Sequence, residues 1–314
     1  MNVVVTGSIA YDYLMTFPGH FKDHILPDQI GKLSVSFLVD SLRKQRGGCA
    51  PNVAYSLALL GEHPIVLATA GQDFADYRAW LDNHGVDTSA IVEVPDEFTS
   101  SFFVSTDCDS CQFASFYIGA MGHANELSFH DLKLPVDLAI ISPNDPAAMC
   151  KYPCECKALG IPYIYDPSQQ IIRLSGDDLR EGMDGSKLLI VNEYEFEMIR
   201  NKTGLSENQV LCCVGALIIT RASDGSTIWT DGERYDIPVV EPVRIADPTG
   251  VGDAYRAGVI KGMSMGLPWD VIGRMGSLAA TYVLEQPGTQ NHSYTWEEFV
   301  ARYRENFGPL AGHV

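Results

Sequence analysis

The segment Asp247-Pro248-Thr249-Gly250-Val251-Gly252-Asp253-Ala254-Tyr255-Arg256 carries the most suggestive chemistry of the chain. Gly250 and Gly252 free the backbone for a sharp turn directly before a helical pattern. Such a turn aims unpaired N–H groups at one spot, and the helix dipole adds positive potential there. The amides of Gly250, Val251, Gly252 and Asp253 are therefore a candidate anion hole. A carboxylate in a site built for negative charge asks for a reason. One reason is to accept the proton of a hydroxyl that attacks phosphorus. The other is to cap the helix. The pattern G-x-x-x-x-G-K-[ST] is absent, which argues against a Walker-type ATPase.

The turn needs a scaffold to hold it. Short continuous apolar runs occur at Val3–Val5, Ile65–Ala70, Asp137–Ser142, Tyr163–Tyr165, Leu188–Val191 and Leu217–Thr220. Such runs suit parallel strands covered on both faces. Helical patterns separate them at Asn52–Leu60, Phe74–His84, Ala147–Leu159 and Glu193–Lys202. From Gly250 the pattern is mostly helical, through Gly266, then Pro268–Leu284 and Thr295–Asn306. Alternating strands and helices predict an α/β fold. Two segments, about 12–46 and 95–121, break the rhythm. Within them Leu33–Phe37, Ser101–Val104 and Phe113–Tyr117 are read as strands of a small sheet, a candidate lid over a cleft.

Charge excludes some classes. The 22 basic and 40 acidic side chains give a net charge of −18, against the clustered cations a nucleic-acid surface needs. The longest basic cluster, Arg43-Lys44-Gln45-Arg46, reads as a solvated loop edge. No apolar stretch is long enough for a membrane span. Met1–Gly7 lacks the features of a secretion signal, so a cytoplasmic location and reduced thiols are expected for the eight cysteines. Neither the cysteine pairs Cys108/Cys111 and Cys154/Cys156 nor the His20/His24 pair makes a metal motif by itself.

The segment 247–253 resembles the C-terminal signature of the ribokinase-like (PfkB) family of sugar and nucleoside kinases. A second signature, Gly47-Gly48-Cys49-Ala50-Pro51-Asn52-Val53-Ala54, precedes it in the right order. The resemblance covers essentially residues 1–314 as one kinase domain. Phe116-Tyr117-x-Gly119-Ala120-Met121, Gly288-Thr289-Gln290 and the stretch 247–258 are most similar to bacterial adenosine kinases. The implied fold is a three-layer α/β/α core with a mostly parallel sheet and a small β-sheet lid. Residues 185–314 would carry the ATP site.

The resemblance also implies roles. Asp253 would be the base, with Gly250, Val251 and Gly252 forming the anion hole. Asp12, Asn52 and Gly48 would hold the sugar, with Ser8 and Ser36 as further polar contacts; a plain turn serine is the alternative for Ser8. Phe102 and Phe116 match a base-stacking pair, unless they pack the lid against itself. Gln169 and Gln170 follow a strand end, where α/β sheets bind ligands. Asn192 and Glu195 match an N-x-x-E motif, with Glu195 acting on Mg²⁺ through water. Thr220-Arg221-Ala222-Ser223-Asp224-Gly225 resembles the nucleotide loop T-x-G-x-x-G, with Ala222 in place of the first Gly. Ile237–Arg244 and Gly288–His292 would flank the ATP adenine, and loops near Ile245 and Gly288 are candidates for a monovalent cation such as K⁺. The expected function is ATP-dependent phosphorylation of a ribonucleoside 5′-hydroxyl, adenosine first. A kinase of a free sugar such as ribose or fructose is one alternative, and a non-catalytic nucleoside-binding protein is another. A homodimer through the lid is an expected partner state.

Overall fold

The computed structural model describes residues 1–32 and 34–310. Their strands are β1 (Val3–Thr6), β2 (Ala10–Thr16), β3 (Ser41–Gly47), β4 (Ile65–Gly71), β5 (Ile91–Val94), β6 (Ser100–Thr106), β7 (Gln112–Tyr117), β8 (Leu138–Ile141), β9 (Tyr163–Tyr165), β10 (Leu188–Asn192), β11 (Ala216–Thr220), β12 (Ser226–Thr230) and β13 (Glu233–Ile237). Nine form one sheet in the order β13-β12-β11-β10-β9-β8-β1-β4-β5. It is parallel from β11 to β5, with β12 and β13 antiparallel at one edge.

The sequence explains why this sheet is covered on both sides. Along β1, Val3 and Val5 enter one core and Val4 the other. Leu188 and Ile190 of β10 face the first core, Leu189 and Val191 the second. A strand that alternates between two buried faces reads as one continuous apolar run. Helices Cys49–Leu59, Ala75–Asn83, Val251–Ser264, Trp269–Leu284 and Trp296–Phe307 feed the first core. Helices Pro146–Leu159, Gly176–Met183, Glu193–Thr203 and Glu207–Cys213 feed the second. This is the ribokinase-like three-layer fold, with a smaller second sheet.

Among the described residues, the second sheet has the order β3-β2-β6-β7. Two of its strands fall where alternation predicts them, at Ser101–Val104 and Phe113–Tyr117. The expected strand Leu33–Phe37 is a correction. Leu33 lies outside the described residues, and residues 34–39 have no regular structure. Phe37 instead packs edge-on against Phe21 at 4.7 Å and lies 5.8 Å from Phe113. The missing strand is β3, which contains the basic cluster read as a loop edge. Its cations lie over aromatic rings: Lys44 sits 3.5 Å above Tyr11, and Arg46 lies 4.3 Å from the Trp80 ring.

Strand order sets the position of a site. From β1 the chain moves to β4 and β5 on one side, then returns to β8 on the other. The crevice outside the carboxyl ends of β1 and β8 is therefore a topological switch point, where open α/β sheets bind ligands. The Ser8 amide donates to Pro143 O across that point at 2.8 Å.

Candidate active site

A cleft of about 690 Å³ opens at this switch point, between the sheet ends and the small sheet. The expected residues Ser8, Asp12, Gly48, Asn52, Phe102, Phe116, Gln169, Gln170, Asn192, Glu195, Thr220, Gly250, Gly252 and Asp253 all line it. Ser36 does not: it is exposed on the irregular stretch before β3. Val251 and residues 221–225 also lie outside the lining.

Asp253 lies in the first turn of Val251–Ser264, whose cap residue Gly250 has φ 79°. An L side chain resists that left-handed conformation, so glycine fits the turn. Burial pushes the Asp253 carboxyl up to about 6, against the pull of Arg256 and the Asn52 hydrogen bond. A base with a pKa near the working pH transfers protons best.

A buried relay orients that carboxylate. Asn52 Nδ2 donates to Asp253 Oδ2 at 2.9 Å, and Gln290 Nε2 donates to Asn52 Oδ1 at 2.9 Å. Gln290 Nε2 also donates to Tyr77 Oη, which donates to Gly47 O at 3.0 Å. Each donor fixes the next amide, so Asn52 presents N–H, not C=O, to the Asp253 carboxylate. Asn52 reaches the site because Cys49–Leu59 starts in close contact with β1. At Gly48 (φ 96°) a Cβ would lie 2.4 Å from Ser8 O. Ser8 Oγ accepts the Cys49 amide at 3.3 Å, so Ser8 secures the turn as well as lining the cleft.

Behind the glycine turn, Arg256 Nη2 meets Asp166 Oδ1 at 2.5 Å, both buried, and Ser142 Oγ donates to Asp166 Oδ2 at 3.1 Å. A Cβ on Gly252 would lie 2.7 Å from Arg256 Nη1. Glycine at 252 therefore leaves room for the guanidinium under the turn.

Asp12 lies on β2, opposite Gln45 of β3 and Phe102 of β6. Burial, aided by Asp247, pushes its carboxyl up to about 6. Phe102 and Phe116 are directly opposed on β6 and β7, on the face that lines the cleft. Their neighbours turn away, as strand alternation requires. Phe103 stacks on Tyr13 at 4.7 Å, and Tyr117 Oη donates to Glu97.

Asn192 and Glu195 form a capping box, with Glu195 N donating to Asn192 Oδ1 and Asn192 N to Glu195 Oε2, both at 2.8 Å. Glu195 thus serves its helix and lines the cleft as well. Gln170 is buried on the cleft wall and its Oε1 has no partner, so that acceptor awaits a donor. In the nucleotide-loop candidate, Ala222 takes φ 47°, the left-handed conformation a glycine would adopt there. Within the expected adenine flank Gly288–His292, Thr289 lines the cleft and Asn291 is exposed. Gln290 and His292 turn into the core, where His292 meets Ser56 at 3.3 Å and burial lowers its pKa to about 4. Asp247 joins the two loops considered for a monovalent cation, accepting the Thr249 and Gly288 amides.

Sequence reasoning gave no role to Cys49, Met121, Ser168, Arg173 or Arg256, all lining the cleft, nor to the relay through Gln290. Arg256 and Gln290 stood inside quoted motifs, but their partners are 90 and 238 residues away.

Comparison with known proteins adds to this geometry. The sequence profile described as pfkB family carbohydrate kinase matches residues 2–296. The nucleoside kinase of Methanocaldococcus jannaschii is 30% identical over 308 residues, covering 97% of each chain. The structure of Burkholderia thailandensis nucleoside kinase in complex with inosine superposes with a TM-score of 0.87 at 35% identity, covering 98% of each chain. The same enzyme in complex with ADP-inosine gives a TM-score of 0.85 at 36% identity, covering 98% of this chain and 96% of that one.

Proposed function

The chain belongs to the pfkB carbohydrate kinase family, and from that premise we propose that it is an ATP-dependent nucleoside kinase, with adenosine as first substrate and the 5′-hydroxyl as acceptor. The observation that carries the reading is that one cleft brings together Asp253 at the start of a helix, the Asp12 carboxylate and the opposed Phe102 and Phe116. Nucleoside kinases among its relatives support the acceptor class.

The acceptor lies with its base against Phe102 and Phe116 and its vicinal diol on Asp12, whose two oxygens take both hydrogens. Gln170 Oε1, buried and without a partner, receives an N–H of the base. Asp253 then accepts the 5′-hydroxyl proton, while the amides of 250–253 hold the charge that grows on the phosphoryl oxygens. Asn52 and Gln290 keep the carboxylate aimed. Glu195, an oxygen ligand on the cleft wall, suits Mg²⁺, which needs only one or two protein carboxylates beside substrate phosphates. When bound, that ion offsets phosphate charge. The loops joined by Asp247 are the place for a monovalent cation, and the edge strands β3 and β7 are the place for a lid-to-lid homodimer.

A kinase of a free sugar shares the base and the diol site, and has no use for the phenylalanine pair. A nucleoside-binding protein has no use for a base held at a raised pKa. The test is Mg·ATP turnover with adenosine, inosine, guanosine, cytidine, ribose and fructose. Adenosine-dependent ADP release supports the reading. Turnover with a free sugar alone discards the stacking role. No turnover with any of them moves weight to the binding protein.

A further inference from the structure

We propose that Arg173 is a catalytic residue whose guanidinium pairs with the terminal phosphoryl group of the bound nucleotide during transfer. This deepens the kinase reading above and rests on it.

The argument begins with charge. The cleft lining has three carboxylates, Asp12, Glu195 and Asp253, and only two basic side chains, Arg173 and Arg256. Arg256 is committed to Asp166 at 2.5 Å in a buried pair. Moving it would leave the buried Asp166 carboxylate without its counter-charge, with only the Ser142 hydroxyl bonded to it, which costs several times a surface contact. Arg173 is exposed and, among the described residues, pairs with no carboxylate. A triphosphate entering so acidic a cleft therefore finds one uncommitted cation.

The backbone is built to present that cation. Ile171 and Leu174, on either side, are buried in the core. Lys202 Nζ, on helix Glu193–Thr203, donates to Ile172 O and Leu174 O, both at 2.8 Å. Those carbonyls bracket Arg173, so the clamp fixes its Cα and leaves its side chain free. The other end of the turn is tied to the same helix, because Ser168 Oγ donates to Glu195 Oε1 at 3.1 Å. Arg173 is thereby held in register with the N-x-x-E pair. A planar guanidinium presents two parallel N–H groups that match two phosphoryl oxygens, a geometry lysine cannot reproduce.

In the step, the O5′–P bond forms as the bond from the terminal phosphorus to the bridging oxygen breaks. The proton passes to Asp253, and the negative charge leaves on ADP. Arg173 forms no covalent bond and donates to the oxygens of the group in flight.

Arg173→Gln and Arg173→Lys test this in the full chain. Turnover of the best nucleoside should fall by about 10³-fold or more in Arg173→Gln, as for arginines that contact a transferring phosphoryl group. Arg173→Lys should recover part of it, nucleoside KM should hold, and added guanidinium should restore some rate. Calorimetry with a non-hydrolysable ATP analogue and with ADP, without acceptor, separates the two proposals. Arg173→Gln should weaken the triphosphate about tenfold and ADP by less than about twofold. If the unmodified protein phosphorylates no acceptor and this selective loss is still seen, the nucleoside reading and the catalytic role of Arg173 fail together, and only its pairing with the terminal phosphate stands. Unchanged turnover with unselective binding overturns the assignment. An equal loss of both nucleotides with a lowered melting temperature also overturns it, in favour of a structural role.

Discussion

The floor and the lid of the cleft are built on opposite plans. On the floor, Asn52, Gln290, Asp166 and Arg256 are buried and hydrogen-bonded to one another or to Asp253. On the lid, Phe116 is 49% exposed and all of β7 faces solvent. The lid's own small core lies at its far end, where Phe21 stacks on Phe17 at 5.1 Å and meets Phe113 edge-on at 4.7 Å. The floor holds its dipoles in place before any ligand arrives, which is what charge stabilisation requires. The lid leaves its binding surface uncovered, so its value is realised only when a substrate fills it.

The largest break in that contrast comes from the floor. Asp253→Asn keeps an acceptor for the Asn52 amide and removes the base. Turnover should fall by about 10²–10⁴-fold, with nucleoside affinity and melting temperature nearly unchanged. Steady-state kinetics beside a thermal melt checks this, and near-normal turnover would remove the base assignment.

The lid should fail differently. Phe102→Ala or Phe116→Ala should raise nucleoside KM by a factor that corresponds to roughly 1–3 kcal/mol of lost stacking. Any residual turnover of ribose should be unaffected. If both acceptors suffer equally, the phenylalanines hold the lid together and do not read a base.

Acidity sharpens the comparison, because one carboxylate of each region is raised to about 6: Asp253 on the floor and Asp12 on the lid sheet. Both must be ionised to accept hydrogens. As pH falls through about 6, kcat/KM should therefore drop with a slope approaching two protons, each step about tenfold per unit. In Asp12→Asn the surviving limb should have a slope of one. A pH–rate profile of the two proteins decides it.

The same contrast explains what the sequence revealed. Strands such as Leu188–Val191 are legible because both faces are buried, which leaves an uninterrupted apolar run. The anion-hole turn is legible because its glycines and Asp253 are adjacent in the chain. β3 was hidden, because Arg43-Lys44-Gln45-Arg46 shows no apolar alternation; it is held by its full-length pairing with β2 and by cations laid over Tyr11 and Trp80. The Asp166–Arg256 pair was hidden because burial creates it between strand end and helix, and nothing in either local pattern announces the other.

Ala222, beside the floor, is a strained position, and it gives the smallest effect. An alanine at φ 47° lies in the left-handed region, which costs an L residue about 1–2 kcal/mol. Its side chain is exposed, so removing the methyl group forfeits little packing. Glycine would relieve the strain and give back about 0.5–1 kcal/mol in unfolded-state entropy. Ala222→Gly should therefore stabilise by no more than about 1 kcal/mol, a rise of at most about 2–4 °C in melting temperature. The ATP KM should not move, because Gly225 already closes the loop through its carbonyl to Arg221 N at 2.7 Å. A calorimetric melt with an ATP titration checks both. A lowered melting temperature would mean that the loop draws its shape from the methyl group, and that even this exposed loop beside the floor is fixed by packing.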